Sequence, residues 1–182
     1  LLLAAAATGG EIFVKDAPAG DMEAFLSCIR KTGARVELQP DGIAVKAPKR
    51  LSAVGKVTTL PHPGFPTDLQ SQLLAAMAAA DGVSVIKETI FENRFKVMKP
   101  LRLMGADITL SENCACINGV RRLHAARIRA EDLRGGAALV IAALAAEGRT
   151  VVENVGLIDR GYDRLELTLN ELGADIIRIK ED

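Results

Sequence analysis

The sequence predicts an α/β fold with helices at its centre and sheets outside. Three observations lead there. One plan of helix, strand, helix and strand recurs three times along 182 residues. One helical segment in each copy is apolar on every side, which demands burial all round. Short β-branched runs bounded by glycines accompany each helix and read as strands.

In the first copy, LLLAAAA opens a buried helix, EIFV a strand, Met22 onward a second helix, and ARVEL and GIAV two further strands. In the second, SQLLAAMAAA is the apolar helix and VSVI its strand. A helix from Phe95 then precedes the strands ADITL and CACI. In the third, AALVIAALAA, TVV, the segment from Tyr162 (YDRLELTLNELGA) and DIIRI repeat the plan to the end. The second helix of each copy is amphipathic; Leu165, Leu169 and Leu172 stand at helical spacing among charges. The paired stops Gly10 and Gly33, Gly82 and Gly105, and Gly148 and Gly173 keep nearly constant spacing, as expected where glycine ends a helix. The copies divide at about 1–58, 59–120 and 121–182 and make one domain. Its opening Leu1–Ala7 reads as the tail of a helix whose start is missing, so the domain is expected to be partial.

Composition narrows the function. Hydrophobic residues make up 49% of the chain, without Trp and with Tyr162 as the single Tyr, which fits a folded core of small aliphatic side chains. Lys plus Arg and Asp plus Glu both total 23, and this balance argues against a nucleic-acid binder. No run reaches the ~18 apolar residues of a membrane span, and Leu1–Ala7 has no basic region before it as a signal peptide would. Cys28, Cys114 and Cys116 fit free thiols in a reducing, cytoplasmic setting. With His62 and His124 they offer no metal-ligand spacing, so no metal is expected.

Positions needed only for folding recur in every copy, whereas those needed for chemistry need not. At one equivalent loop position the second copy has Arg94, the third Arg160 and the first Met22. The buried helices of copies two and three are preceded by FPTD, ending at Asp68, and by EDLR, holding Asp132 and Arg134. Helix N-termini and Arg forks suit phosphate and carboxylate, and a carboxylate among them can serve as a general base. Taken singly, each Asp could equally be a routine helix cap and each Arg a surface ion pair.

The strings PGFPTDLQ at 63–70, ETIFENRF at 88–95, RLMGADI at 102–108, DLR at 132–134, AEG at 146–148 and IDRGYDRLE at 158–166 resemble those of UDP-N-acetylglucosamine enolpyruvyl transferases, in order and spacing over nearly the whole chain. The resemblance implies transfer of the enolpyruvyl group of phosphoenolpyruvate to the 3-hydroxyl of UDP-N-acetylglucosamine, the first committed step of peptidoglycan precursor synthesis. It implies no cofactor. It also implies an inside-out α/β barrel of three βαβαββ-type units, one of two domains between which substrates bind. Carried over, Asp68 is the general base or hydroxyl-orienting carboxylate, and Ile90 (through its backbone) and Phe91 line the nucleotide-sugar pocket. Arg94 and Arg134 hold charged groups, Arg160 binds on the phosphoenolpyruvate side, and Asp132 lies near the reacting carbons. The family's proton-donating loop Cys belongs to the partner domain, and Cys28, Cys114 and Cys116 do not match it. The family's N-terminal Lys-Asn pair is likewise absent from this sequence, so the chain alone is expected to be inactive.

Two other readings remain at this stage. One is the related transferase acting on shikimate 3-phosphate; the FPTD and FENRF strings favour the nucleotide sugar over it. The other is a non-catalytic three-repeat interaction module.

Overall fold

The computed structural model describes residues 1–179. The first unit runs α1 (Leu2–Ala7), β1 (Glu11–Lys15), α2 (Glu23–Lys31), β2 (Arg35–Gln39) and β3 (Gly42–Lys46). The second contains β4 (Gly55–Thr58), α3 (Gln70–Met77), β5 (Val83–Lys87), α4 (Met98–Leu103), β6 (Asp107–Ser111) and β7 (Cys114–Asn118). The third contains β8 (Arg127–Arg129), α5 (Leu133–Ala145), β9 (Val151–Glu153), α6 (Gly156–Asp159) and α7 (Leu165–Glu171). The second unit therefore shows the whole βαβαββ plan.

Each unit carries its own sheet, ordered β1-β3-β2, β4-β5-β7-β6 and β8-β9. In the first, β3 is the central strand. Its Ile43 and Val45 are fully buried and face Val14 and Ile12 of β1 across the ladder, the period-2 burial expected of a one-sided sheet. Strands β4 and β5 are parallel, as are β8 and β9. A parallel pair needs a crossover, which α3 and α5 supply. Neither β4 nor β8 was legible in the sequence. Because β4 pairs with β5, the second sheet begins before residue 59, where the repeat was divided.

The three apolar helices α1, α3 and α5 pack against one another pairwise. Every residue of α3 is buried, as are Gly135–Leu139, Ile141 and Ala142 of α5. Small residues permit this closeness. A Cβ on Gly136 would stand 2.6 Å from Ile158 Cγ1 of α6, inside any tolerable contact. The second helices show one apolar face: α2 buries Phe25, Leu26, Cys28 and Ile29 while Glu23 and Arg30 pair at 2.8 Å outside.

Two expectations about elements change. The amphipathic helices begin later than read from sequence. A 3-10 turn, Ala19–Met22, precedes α2, α4 starts at Met98 instead of Phe95, and the segment from Tyr162 becomes helical only at Leu165. DIIRI, expected as a strand, has no regular secondary structure and lies in no sheet. Its counterparts β2 and β6 each pair with a following strand, β3 or β7, and no such partner is present among the described residues. Instead the Asn170 side chain donates to the Ile176 carbonyl at 2.8 Å and accepts from its N–H at 2.9 Å, doing locally what a ladder neighbour does.

Beyond the end of α3 lies a junction of segments. Arg50, from the linker before β4, donates to the carbonyls of Ala79, Ala80 and Val120 at 3.3, 3.0 and 3.4 Å and pairs with Asp81 at 3.1 Å. After α5 the pattern recurs: Arg122 pairs with Glu147, and the backbone bridge Ser52–Asp81 is matched by His124–Glu147. Among the described residues no helix is long and apolar enough to cross a membrane.

Candidate functional site

The site is built outward from β5. Strand alternation sends Ser84 and Ile86 inward, and two residues further on it buries Glu88, which is only 2% exposed. A carboxylate there is costly unless fully hydrogen-bonded. Glu88 accepts from Thr59 Oγ1 and the Ile90 N–H at 2.8 Å, from the Phe91 N–H at 3.2 Å, and, on its other oxygen, from Thr67 Oγ1 at 2.8 Å. Burial pushes its pKa up, towards the neutral form, but these four bonds outweigh it, and the carboxyl lies below its ordinary range.

Through these bonds Glu88 joins two turns. One is the 3-10 turn Thr67–Leu69, which leads into α3 and carries Asp68. The other follows β5 and carries Ile90, Phe91 and Arg94, with the Arg94 guanidinium 4.6 Å from the centre of the Phe91 ring, a cation–π distance. Between them opens a cleft of about 460 Å³ lined by Asp68, Ile90, Phe91, Arg94 and Arg134 together. Asp21 from the first unit and Leu60, Pro61 and His62 from the second also line it, so all three units contribute.

At the cleft floor the Arg134 Nε stands 2.5 Å from Asp68 Oδ1, joining the second unit to the third. That hydrogen bond is the main reason the Arg134 guanidinium is held protonated beyond its usual range, against a smaller opposing effect of burial. The Asp68 side chain remains 58% exposed, open to a bound molecule. Phe91 is 55% exposed, a large apolar face left at the rim.

The other two predicted residues lie nearby but do not line the cleft. Asp132 caps α5: its backbone is extended (φ −155, ψ 171) and its Oδ1 accepts the Gly135 N–H at 2.7 Å. Arg160 follows α6 and is exposed. A Cβ on its neighbour Gly161 would meet Leu133 in the first turn of α5 at 2.9 Å, which puts this loop at the same end of α5 as Arg134. The adjacent Asp159 is fixed by Arg178 Nη2 at 2.6 and 2.7 Å.

Sequence reasoning missed Glu88 as an organising group, although an acidic residue continuing the inward face of Ser84 and Ile86 is a readable signal. Asp21, Leu60, Pro61 and His62 gave none, because they reach the cleft only through tertiary packing. The cysteines stand apart from the lining. Cys28 is buried in α2, and burial pushes its thiol up to about 11, while Cys114 and Cys116 share one face of β7. Among the described residues no group of three or more His, Cys, Asp or Glu is placed to hold a metal ion.

The profile of the family described as EPSP synthase (3-phosphoshikimate 1-carboxyvinyltransferase) matches residues 1–169. UDP-N-acetylglucosamine 1-carboxyvinyltransferase 2 of Caldanaerobacter subterraneus subsp. tengcongensis is 48% identical over 178 residues, which is 98% of this chain and 43% of that protein. UDP-N-acetylglucosamine 1-carboxyvinyltransferase of Desulfofundulus thermocisternus is 46% identical over 181 residues, 100% of this chain and 74% of that protein. Among solved structures, the enolpyruvyl transferase NikO from Streptomyces tendae superposes with a TM-score of 0.83 at 26% identity, covering 96% of this chain and 42% of that one. The chain thus spans 43% of the length of the first two curated relatives it matches.

Proposed function

Because this chain belongs to the enolpyruvyl (1-carboxyvinyl) transferase family, with UDP-N-acetylglucosamine 1-carboxyvinyltransferases as its curated relatives, we propose that it forms one wall of an active site joining UDP-N-acetylglucosamine to phosphoenolpyruvate. The reaction would release phosphate and make a peptidoglycan precursor. The observation that carries this reading is the cleft in which Asp68, paired with Arg134, faces Ile90, Phe91 and Arg94.

The chemistry follows from the groups present. Asp68 is an exposed carboxylate aimed by a guanidinium, suited to take the proton of a sugar hydroxyl or to orient it. The backbone at Ile90 and the ring of Phe91 offer the sugar side a polar edge and an apolar face. Attack of the sugar oxygen on the enol carbon, once its vinyl carbon is protonated, gives a tetrahedral ketal, and loss of a proton from the new methyl group with expulsion of phosphate restores the double bond. Arg94 and Arg134 stabilise the charge that gathers on phosphate, most strongly in a cleft closed to water. Arg160 would join them on the enol-phosphate side and Asp132 would sit near the reacting carbons. Among the described residues no cysteine lines the cleft, and we assign the acid that protonates the vinyl carbon to a partner domain closing over it. We read the three units as one such domain, an inside-out barrel with α1, α3 and α5 within and the sheets outside, working in the cytoplasm.

The test is turnover by the complete protein that carries this chain. Phosphate release from phosphoenolpyruvate should require UDP-N-acetylglucosamine and persist unchanged with shikimate 3-phosphate as competitor. Dependence on shikimate 3-phosphate instead would assign the site to the other transferase. Binding of neither acceptor would leave only the interaction-module reading.

A further inference from the structure

We infer that Glu88 is a positioning residue for the nucleotide-sugar side of the site, a single buried carboxylate that sets the distance between the turn carrying Asp68 and the turn carrying Ile90 and Phe91. The inference deepens the reading of the cleft given above and depends on it for the identity of the ligand.

The argument starts from location. Glu88 lies immediately after β5 and is 2% exposed, so it makes no contact with a molecule in the cleft and acts only through others. Its two oxygens divide their work. Oε2 takes Thr67 Oγ1, one residue from Asp68, while Oε1 takes the N–H groups of Ile90 and Phe91 together with Thr59 Oγ1. Thr59 extends the clamp, since its hydroxyl oxygen also accepts the Thr89 N–H at 2.9 Å. The Asn113 side chain holds the Glu88 carbonyl at 2.8 Å.

Two consequences follow for a bound nucleotide sugar. Ile90 and Phe91 spend their N–H groups on Glu88, so the backbone atom of Ile90 that meets a ligand is its carbonyl. The turn also arrives preformed, and the ordering cost of the cleft is met before binding. A neutral or shortened side chain at this place leaves some donors unmet or pulls the two turns together. Either change alters a distance to which catalysis is sensitive.

The experiment compares Glu88→Ala, Glu88→Gln and Thr67→Val in the complete protein, by steady-state kinetics with both substrates and by amide hydrogen exchange. Hydrogen bonds to a charged group are worth enough that Glu88→Ala should raise KM for UDP-N-acetylglucosamine roughly ten- to a hundredfold, with KM for phosphoenolpyruvate within about twofold. Glu88→Gln, which keeps one acceptor oxygen for three donors, should recover much of this. Thr67→Val, which cuts only the Oε2 link, should shift the same KM by a smaller factor. Exchange at Ile90 and Phe91 should accelerate in Glu88→Ala. A purely structural role would lower the active fraction and leave both KM values in place. The inference is overturned if Glu88→Gln and Thr67→Val both keep the wild-type KM for the nucleotide sugar, whatever Glu88→Ala does to folding. If the wild-type protein turns over neither substrate, the reading of the site has failed. The clamp then stands or falls on whether Glu88→Ala accelerates exchange at Ile90 and Phe91 beyond any change elsewhere in the chain.

Discussion

Two aspartates open two look-alike helices and end up in different employment. Asp132 has the extended backbone of an N-cap and spends an oxygen on the Gly135 N–H. Asp68 sits inside a 3-10 turn. The residue at the cap position of α3 is Leu69, which has no side-chain cap bond, and the Asp68 carboxylate reaches across to Arg134. The difference lies in one residue of register. An Asp at the cap faces the free N–H groups of its own helix, whereas an Asp just before it is turned outward and left for another partner. The same residue type before the same kind of helix is thus a fastener in one unit and, in the function proposed above, a reagent in the other.

The strongest challenge to that contrast is Asp68→Asn in the complete protein. Loss of a general base lowers kcat by about 10²- to 10⁴-fold, and the melting temperature should barely move because no cap is lost. A melting point that falls as far as kcat would make Asp68 another fastener. Asp132 should behave the other way round: Asp132→Ala costs about 1 kcal/mol of stability by chemical denaturation, while Asp132→Asn, which still accepts the Gly135 N–H, keeps it. If Asp132→Asn folds as wild type yet turns over as poorly as Asp68→Asn, Asp132 has a chemical task besides capping, as its place near the reacting carbons would require.

The smallest effect concerns the clamp beneath Asp68. The Glu88 carboxyl is depressed in the folded state relative to its ordinary 4.5. A depressed acid stabilises the fold above its unfolded value and loses that contribution as pH falls through the folded value. Denaturation of wild type and Glu88→Gln at pH 7 and near pH 3 should therefore show the wild-type advantage shrinking in acid. A constant difference across that range would mean that the charge of Glu88 contributes nothing to holding the two turns.

How much of this was legible depended on whether the signal was local. The triple plan, the buried helices and the glycine stops could be read because each is a run of neighbouring residues. Gly105, at φ +89 after α4, is where a side chain would be strained and where the sequence places none. Asp68, Arg94 and Arg134 could be grouped because repeated units place equivalent loops together, whereas Ile90 and Phe91 came only from the family resemblance. Strands β4 and β8 escaped because GKVT and RIR each hold a single aliphatic residue, too little for a β-branched run. DIIRI misled for the opposite reason: its residues favour a strand, but pairing is a property of two segments, and Asn170 met Ile176 first. The two-way use of Glu88 was hidden in the same manner, since its four donors come from three stretches of chain.

The Arg50 junction carries one more implication. In arrays whose repeats touch only their neighbours, heat can fray the molecule one repeat at a time. Arg50 leaves the first unit, binds carbonyls beyond α3 and also reaches Val120 past β7, so opening either end of the second unit strips the same guanidinium of its partners. The first two copies are thereby coupled, and a lesion in either should be felt in the melting of the other.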